Sequence, residues 1–191
     1  MNIGLFGGSF NPIHNGHVWL AEALLRETAL DEVWFMVSPQ NPLKQNSQLL
    51  DDGQRYRFVQ LALKDHPRLK ACDYEFHLPK PSYTWNTLQS LEKDFPQHAF
   101  TLLIGGDNWE LFPKWYRYED LMRDYPIVVY PRKGATVDFQ PAASSNVSFV
   151  NVPLIDISST MIRERLRQGK SIRGLVPAPV ASVIEQEHMY G

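Results

Sequence analysis

Residues 2–17 read Asn2-Ile3-Gly4-Leu5-Phe6-Gly7-Gly8-Ser9-Phe10-Asn11-Pro12-Ile13-His14-Asn15-Gly16-His17. The stretch 2–6 is a short apolar run of strand length that stops at Gly7-Gly8. Residues 9–15 are rich in turn formers. From Gly16 onward Val18, Leu20, Ala21, Leu24 and Leu25 recur at helix spacing. Residues 32–38 form a second apolar run, closed by Pro39. Strand, loop, helix, strand predicts a βαβ unit with two parallel strands, because a parallel pair needs a crossover connection.

Outward from this unit the alternation continues. The spacing predicts helices over 51–64, with Phe58, Leu61 and Ala62 inward, and over 84–93, with Leu88 and Leu91 on one face. Two more helices are expected over 158–167 and over 177–188, the latter with Val180, Val183 and Ile184 facing in. Strands are expected over 69–76, 100–104, 127–130 and 148–152. The expected architecture is one α/β domain over 1–191: a Rossmann-like, doubly wound, mostly parallel sheet with helices on both faces. Two segments, 38–53 and 133–146, lack periodicity and read as long loops of the kind that often cover a site.

The chain's 191 residues suit a single domain, and its 43 % hydrophobic and 21 % charged residues are those of an ordinary globular protein. A formal charge of −2 argues against a general nucleic-acid binder, which is normally basic, yet allows a local anion site. A single cysteine, Cys72, excludes an internal disulfide and a multi-cysteine metal site. Its setting between Ala71 and Asp73 in a strand-like run suggests a buried or half-buried thiol. No run of 18 apolar residues is present, so no membrane span is expected. The opening residues lack a positive region and a long apolar stretch, so they are no signal peptide, and a cytoplasmic protein is expected.

In open α/β sheets ligands bind at the carboxyl ends of the strands, and three segments with unusual chemistry fall there. The first is 7–17. Glycines allow close backbone approach, and a helix start offers free N–H groups to an anion. His14 and His17, three apart, can turn both rings toward the same phosphates. A metal site would need a third protein ligand, which no recognisable spacing supplies. Helix capping by one histidine is the plainer reading, and the glycines beside the pair favour phosphate instead. Neither G-x-G-x-x-G nor G-x-x-x-x-G-K-[ST] is present. The second segment opens a helix with Ser158, Ser159 and Thr160, and Arg163 follows one turn in. It reads as a capped helix, with Asp156 as another cap candidate, and as a second anion seat. The third is Gly105-Gly106-Asp107, whose carboxylate can accept bonds from a ribose, followed by Trp109, Phe112 and Trp115. All three could be core residues, Phe112 above all, and Trp115 also suits stacking on a heterocycle.

Together these residues resemble the H-x-G-H nucleotidyltransferase superfamily, and more closely the bacterial nicotinate-nucleotide adenylyltransferase family. The likeness covers nearly the whole chain. It is carried by GGSFNPIHNGH at 7–17, PSYTWNTL at 81–88, IGGDNWELFPKWYRYEDL at 104–121 and ISSTMIRERL at 157–166, in the family's order. The resemblance implies that His14, His17 and Arg163 are the catalytic groups on the ATP phosphates. It implies ATP binding by Gly8, Ser9, Phe10, Gly105, Asp107, Ser158, Ser159 and Thr160. Lys44, Tyr83, Thr84, Trp115 and Arg132 would bind the mononucleotide, with Trp115 stacked on its pyridine ring.

The implied substrates are ATP and nicotinate mononucleotide, giving deamido-NAD and pyrophosphate. Mg²⁺ would be held mainly through ATP and water, with no metal ligands from the protein. Neither nucleic acid nor membrane is an expected partner, and the oligomeric state, monomer or homo-oligomer, has no signature here. The alternatives are the amide substrate, nicotinamide mononucleotide, and a nucleotide-sensing module without turnover. A class I aminoacyl-tRNA synthetase shares a similar histidine turn. This chain is too short for one, lacks a K-M-S-K-S-like segment and is not basic.

Overall fold

A computed structural model describes residues 1–40, 48–135 and 145–191. Its sheet has six strands: β1 (Asn2–Gly8), β2 (Glu32–Val37), β3 (Leu69–Cys72), β4 (Ala99–Gly105), β5 (Ile127–Tyr130) and β6 (Val147–Phe149). The order is β3-β2-β1-β4-β5-β6, and all five pairings are parallel. This is the doubly wound order, with its reversal between β1 and β4.

Side chains alternate across the strands, so each strand feeds two cores. Phe6, Phe35, Leu103 and Val128 face one core with helices α1 (Asn15–Glu27), α2 (Asp52–Leu63), α6 (Ser159–Arg167) and α7 (Ala178–Gln186). Leu5, Met36, Leu102 and Val129 face the other, covered by α3 (Thr84–Asp94), α4 (Gly106–Leu111) and α5 (Tyr118–Asp124). Apolar burial on both sides explains why the strand sequences are nearly continuous hydrophobic runs. The helix residues expected to face inward at Leu24, Phe58, Leu88, Leu91, Val180 and Ile184 are buried.

The strand expected over 69–76 ends at Cys72, where its pairing with Met36 is the last rung, and Tyr74–His77 turns into a 3-10 helix. The short helices α4 and α5 were not expected from periodicity. The reversal places two loops side by side at the carboxyl edge: the one after β1, which enters α1 at Asn15, and the β4–α4 junction at Gly105-Gly106.

Candidate active site

His14 is the N-cap of α1, and its Nδ1 accepts the backbone N–H of His17 at 3.3 Å. In return the backbone N–H of His14 donates to His17 Nδ1 at 3.1 Å, a reciprocal capping box made by two imidazoles. The rings stack with centroids 3.6 Å apart and an interplanar angle of 20°. Because each Nδ1 is an acceptor, each neutral ring carries its proton on Nε2. Capping and ligand binding are therefore compatible: Nδ1 does the first and leaves Nε2–H for the second. Burial, assisted by the Arg132 charge, brings the His14 pKa down to about 3. Burial, then the His14 and Arg132 charges, hold His17 well below its ordinary value.

Gly16 makes this stack fit. A Cβ there would lie 2.7 Å from Ile155 Cγ2 and 2.8 Å from the His14 ring. Phe10 adopts a left-handed φ of 47°, and its ring is buried at 5.0 Å from the His17 ring and 5.5 Å from Phe35. The Phe10 side chain is thus a wall of the core, and Gly7, Gly8 and Ser9 complete the loop's rim.

The start of α6 meets this loop. Ser158 caps the helix by accepting Met161 N–H at 3.1 Å, and Ser159 Oγ donates to Pro12 O at 2.9 Å. Arg163 donates through Nη1 to Asn11 O at 2.7 Å and through Nη2 to Thr160 Oγ1 at 3.3 Å. Its Nε–H is buried with no partner among the described residues, the kind of donor that a ligand oxygen satisfies. Asp156, a cap candidate from sequence, does not cap; it pairs with Lys133 at 2.9 Å. Ser158 sits at the position whose backbone is extended, which the N-cap requires.

Between the two helix starts runs a cleft made of two contiguous cavities of about 290 and 360 Å³. His14, His17, Arg132, Ile157 and Ser158 line both. Gly16, Lys133, Asp156 and Met161 extend the first, and Ser9, Asp107, Thr160 and Arg163 the second. Arg132 reaches Asp107 at 3.7 Å across Gly105, where any Cβ would lie 2.8 Å from both side chains. Arg132 thus lines the same cleft as the histidines, while Tyr83 borders another cavity. Sequence reasoning missed Lys133, Met161, Asn11 and Arg55. Lys133 lies three residues beyond the end of β5, and that strand-end position was the available signal.

Tyr83, Thr84 and Trp115 stand apart from this cleft. Tyr83 is exposed, 5.0 Å from the Tyr116 ring, and borders a separate cavity of about 530 Å³ over 78–90. Thr84 opens α3 and is half-buried. Trp115 is half-buried, tilted on Phe112 at 5.2 Å, whereas Trp109 and Phe112 are fully buried. Lys44 lies outside the described residues. Cys72 is half-buried, and burial pushes its thiol up to about 11, which removes it as a nucleophile.

A cytidylyltransferase-like family model matches residues 5–165. A relative from Bacteroides fragilis, described as a nicotinate-nucleotide adenylyltransferase, is 47 % identical over 96 % of this chain and 91 % of its own. One from Cytophaga hutchinsonii with the same description is 45 % identical over 100 % of this chain and 98 % of its own. The chain belongs to the nicotinate-nucleotide adenylyltransferase family. Among solved structures, a Plasmodium falciparum nicotinic acid mononucleotide adenylyltransferase complexed with NaAD superposes with a TM-score of 0.80. It is 19 % identical and covers 99 % of this chain and 97 % of that one, a likeness of fold.

The histidine pair makes a measurable demand on pH. A folded value of about 3 for His14, against 6.5 when unfolded, means the unfolded chain takes up the proton first. The stability is present above pH 6.5 and is lost as pH falls toward 3. Between pH 7 and 5 His14 alone costs about 2 kcal/mol. Urea unfolding at both pH values checks this. His14→Asn, which keeps a cap acceptor, is expected to flatten the slope, and an unchanged slope would rule out the neutral pair.

Proposed function

We propose that this enzyme transfers the adenylyl group of ATP to nicotinate mononucleotide, releasing pyrophosphate and forming deamido-NAD. The observation that carries the reading is the imidazole pair: two Nε2–H donors, fixed by a reciprocal cap, lining the cleft that the start of α6 also enters. The acceptor's 5′-phosphate attacks the α-phosphorus in line. A P–O bond forms to the acceptor as the bond from Pα to the bridging oxygen of pyrophosphate breaks. A phosphate monoester is largely ionised at neutral pH, with a second pKa near 6, so no general base is needed.

The protein's work is positioning and charge stabilisation. His14 and His17 donate to oxygens whose charge grows in the transition state. Arg163 and Arg132 face the same cleft with fixed positive charge. Ser158, Ser159 and Thr160 bring the amides of α6 to the phosphates, and Asp107 accepts from a ribose. Among the described residues no three His, Cys, Asp or Glu side chains are grouped to hold a metal. The cleft carboxylates Asp107 and Asp156 each face a cation. This donor set fits Mg²⁺ carried on ATP oxygens and water rather than in a protein cage. Held so, the ion would supply positive charge opposite the leaving group. The reading includes the cytoplasmic location expected from the sequence.

Pyrophosphate release with ATP and Mg²⁺, comparing nicotinate with nicotinamide mononucleotide, tests it. A much higher kcat/KM for the acid is expected. Equal or better turnover of the amide would overturn the substrate assignment, and release with neither would overturn the reaction.

Trp115 is placed by this reading over the pyridine ring. Stacking of a base on an aromatic side chain contributes about 1–3 kcal/mol. Trp115→Ala is therefore expected to raise KM for the mononucleotide by about 5- to 100-fold and KM for ATP little. Equal effects on both substrates would remove the stacking role.

A further inference from the structure

Asn11 is a buried polar residue, 4 % exposed, at the middle of the loop between β1 and α1. It makes four hydrogen bonds to distant parts of the chain. Nδ2 donates to Gln48 O at 2.9 Å, and Oδ1 accepts Leu50 N–H at 3.2 Å and the Tyr190 hydroxyl at 2.6 Å. Its backbone carbonyl accepts Arg163 Nη1 at 2.7 Å. One residue thus joins the loop, the approach to α2, the segment after α7 and the first turn of α6. The loop's neighbouring carbonyls are engaged as well: Ser9 O by Arg55 at 2.8 Å and Pro12 O by Ser159 at 2.9 Å.

Tyr190 lies 179 residues along the chain from Asn11. It is held in the left-handed region at φ 64°, with its ring packed on the core around α2 and α7. Burial raises its phenol far above the ordinary value against the opposing Arg55 and Arg163 charges, so the hydroxyl keeps its proton and donates. Of these groups Arg163 lines the cleft, together with Gly7 to Phe10 of the loop.

We propose that Tyr190 and Asn11 are positioning residues: the Tyr190 hydroxyl fixes Asn11, whose carbonyl fixes the Arg163 guanidinium against the triphosphate. Arg163 lines the cleft, and its Nε–H has no partner among the described residues. The assignment rests on the adenylyl-transfer reading for its substrate but on geometry alone for its coupling.

The test is a double-variant cycle on the full chain with Tyr190→Phe and Arg163→Ala. Tyr190→Phe keeps the ring and loses one donor. Its unfolding temperature is expected within about 3 °C of the wild type, and its kcat/KM for ATP about tenfold lower. In the Arg163→Ala background Tyr190→Phe is expected to cost less than twofold, because the group it positions is gone. The same tenfold loss in both backgrounds, or no loss in the first, overturns the proposal. Calorimetric ATP affinity of the four proteins gives a readout free of the acceptor. Coupling there without turnover of nicotinate mononucleotide keeps the lock and rejects the acceptor. Turnover without coupling does the reverse.

Discussion

His17→Ala is expected to lower kcat for adenylyl transfer by a factor on the order of 10²–10³, the usual loss when one preorganised transition-state donor is removed. The His17 ring stacks on His14 at 3.6 Å, and its Nδ1 is committed to the His14 backbone N–H. Only Nε2–H is left to act on substrate. The substitution also deletes a cap acceptor, which costs about 1 kcal/mol of stability and a few degrees of unfolding temperature. His17→Gln separates the two effects. Glutamine three residues after an N-cap is a capping-box residue, so the stability is expected to return. Its amide is a neutral donor at a different reach, so kcat is expected to recover only partly. Steady-state rates and thermal unfolding of both variants decide it, and near-normal turnover of His17→Ala would end the phosphate-stabilising role.

The parts of this protein that sequence made legible are those set by local periodicity. The strand, turn and helix of 2–27, the burial of Leu88 and Leu91, and the histidines beside the glycines each need only a short window. What stayed hidden has two physical causes. The helices α4 and α5 are six and seven residues long, under two turns each, too short for a 3.6-residue period to emerge from aromatic-rich sequence. The strand expected over 69–76 failed differently. Residues 73–76, Asp-Tyr-Glu-Phe, alternate charged and aromatic as a strand can, but the pairing with β2 ends at Cys72, and nothing in the local sequence states that length.

The second cause is distance along the chain. Asn11 to Tyr190, Pro12 to Ser159 and Lys133 to Asp156 are pairs made by the fold, with no spacing rule to expose them. The same distance hides the partner of Arg132, which the fold sets 3.7 Å from Asp107 and in the cleft of the histidines. Asp156 shows a related limit. Either Asp156 or Ser158 could cap α6 on composition, and the backbone conformation at Ser158 decides between them.

Arg55→Met carries the largest expected loss of stability. Arg55 sits on α2 with its side chain fully buried. It donates to Leu50 O, Ser9 O and Ser38 O at 2.8 Å each and pairs with Asp52 at 2.5 Å. Burial lowers its pKa, and Asp52 opposes that shift, so the guanidinium remains the charged centre of a four-way joint. Methionine fills similar volume but leaves three carbonyls unpaired. A buried unsatisfied acceptor costs about 1–3 kcal/mol, and the sum expected here is about 3–5 kcal/mol, in the range for breaking a buried ionic network. For a domain of this size that is a fall of about 10–15 °C in unfolding temperature. Asp52→Asn should cost much less, because Asp52 is partly exposed and the three carbonyl bonds survive. The joint ties the carboxyl end of β2 to the loop that carries the histidine pair. Folded Arg55→Met at low temperature should therefore also lose turnover, with its pH dependence unchanged. A melting shift under about 3 °C, or full activity in the folded variant, would show that the loop holds its shape without the arginine.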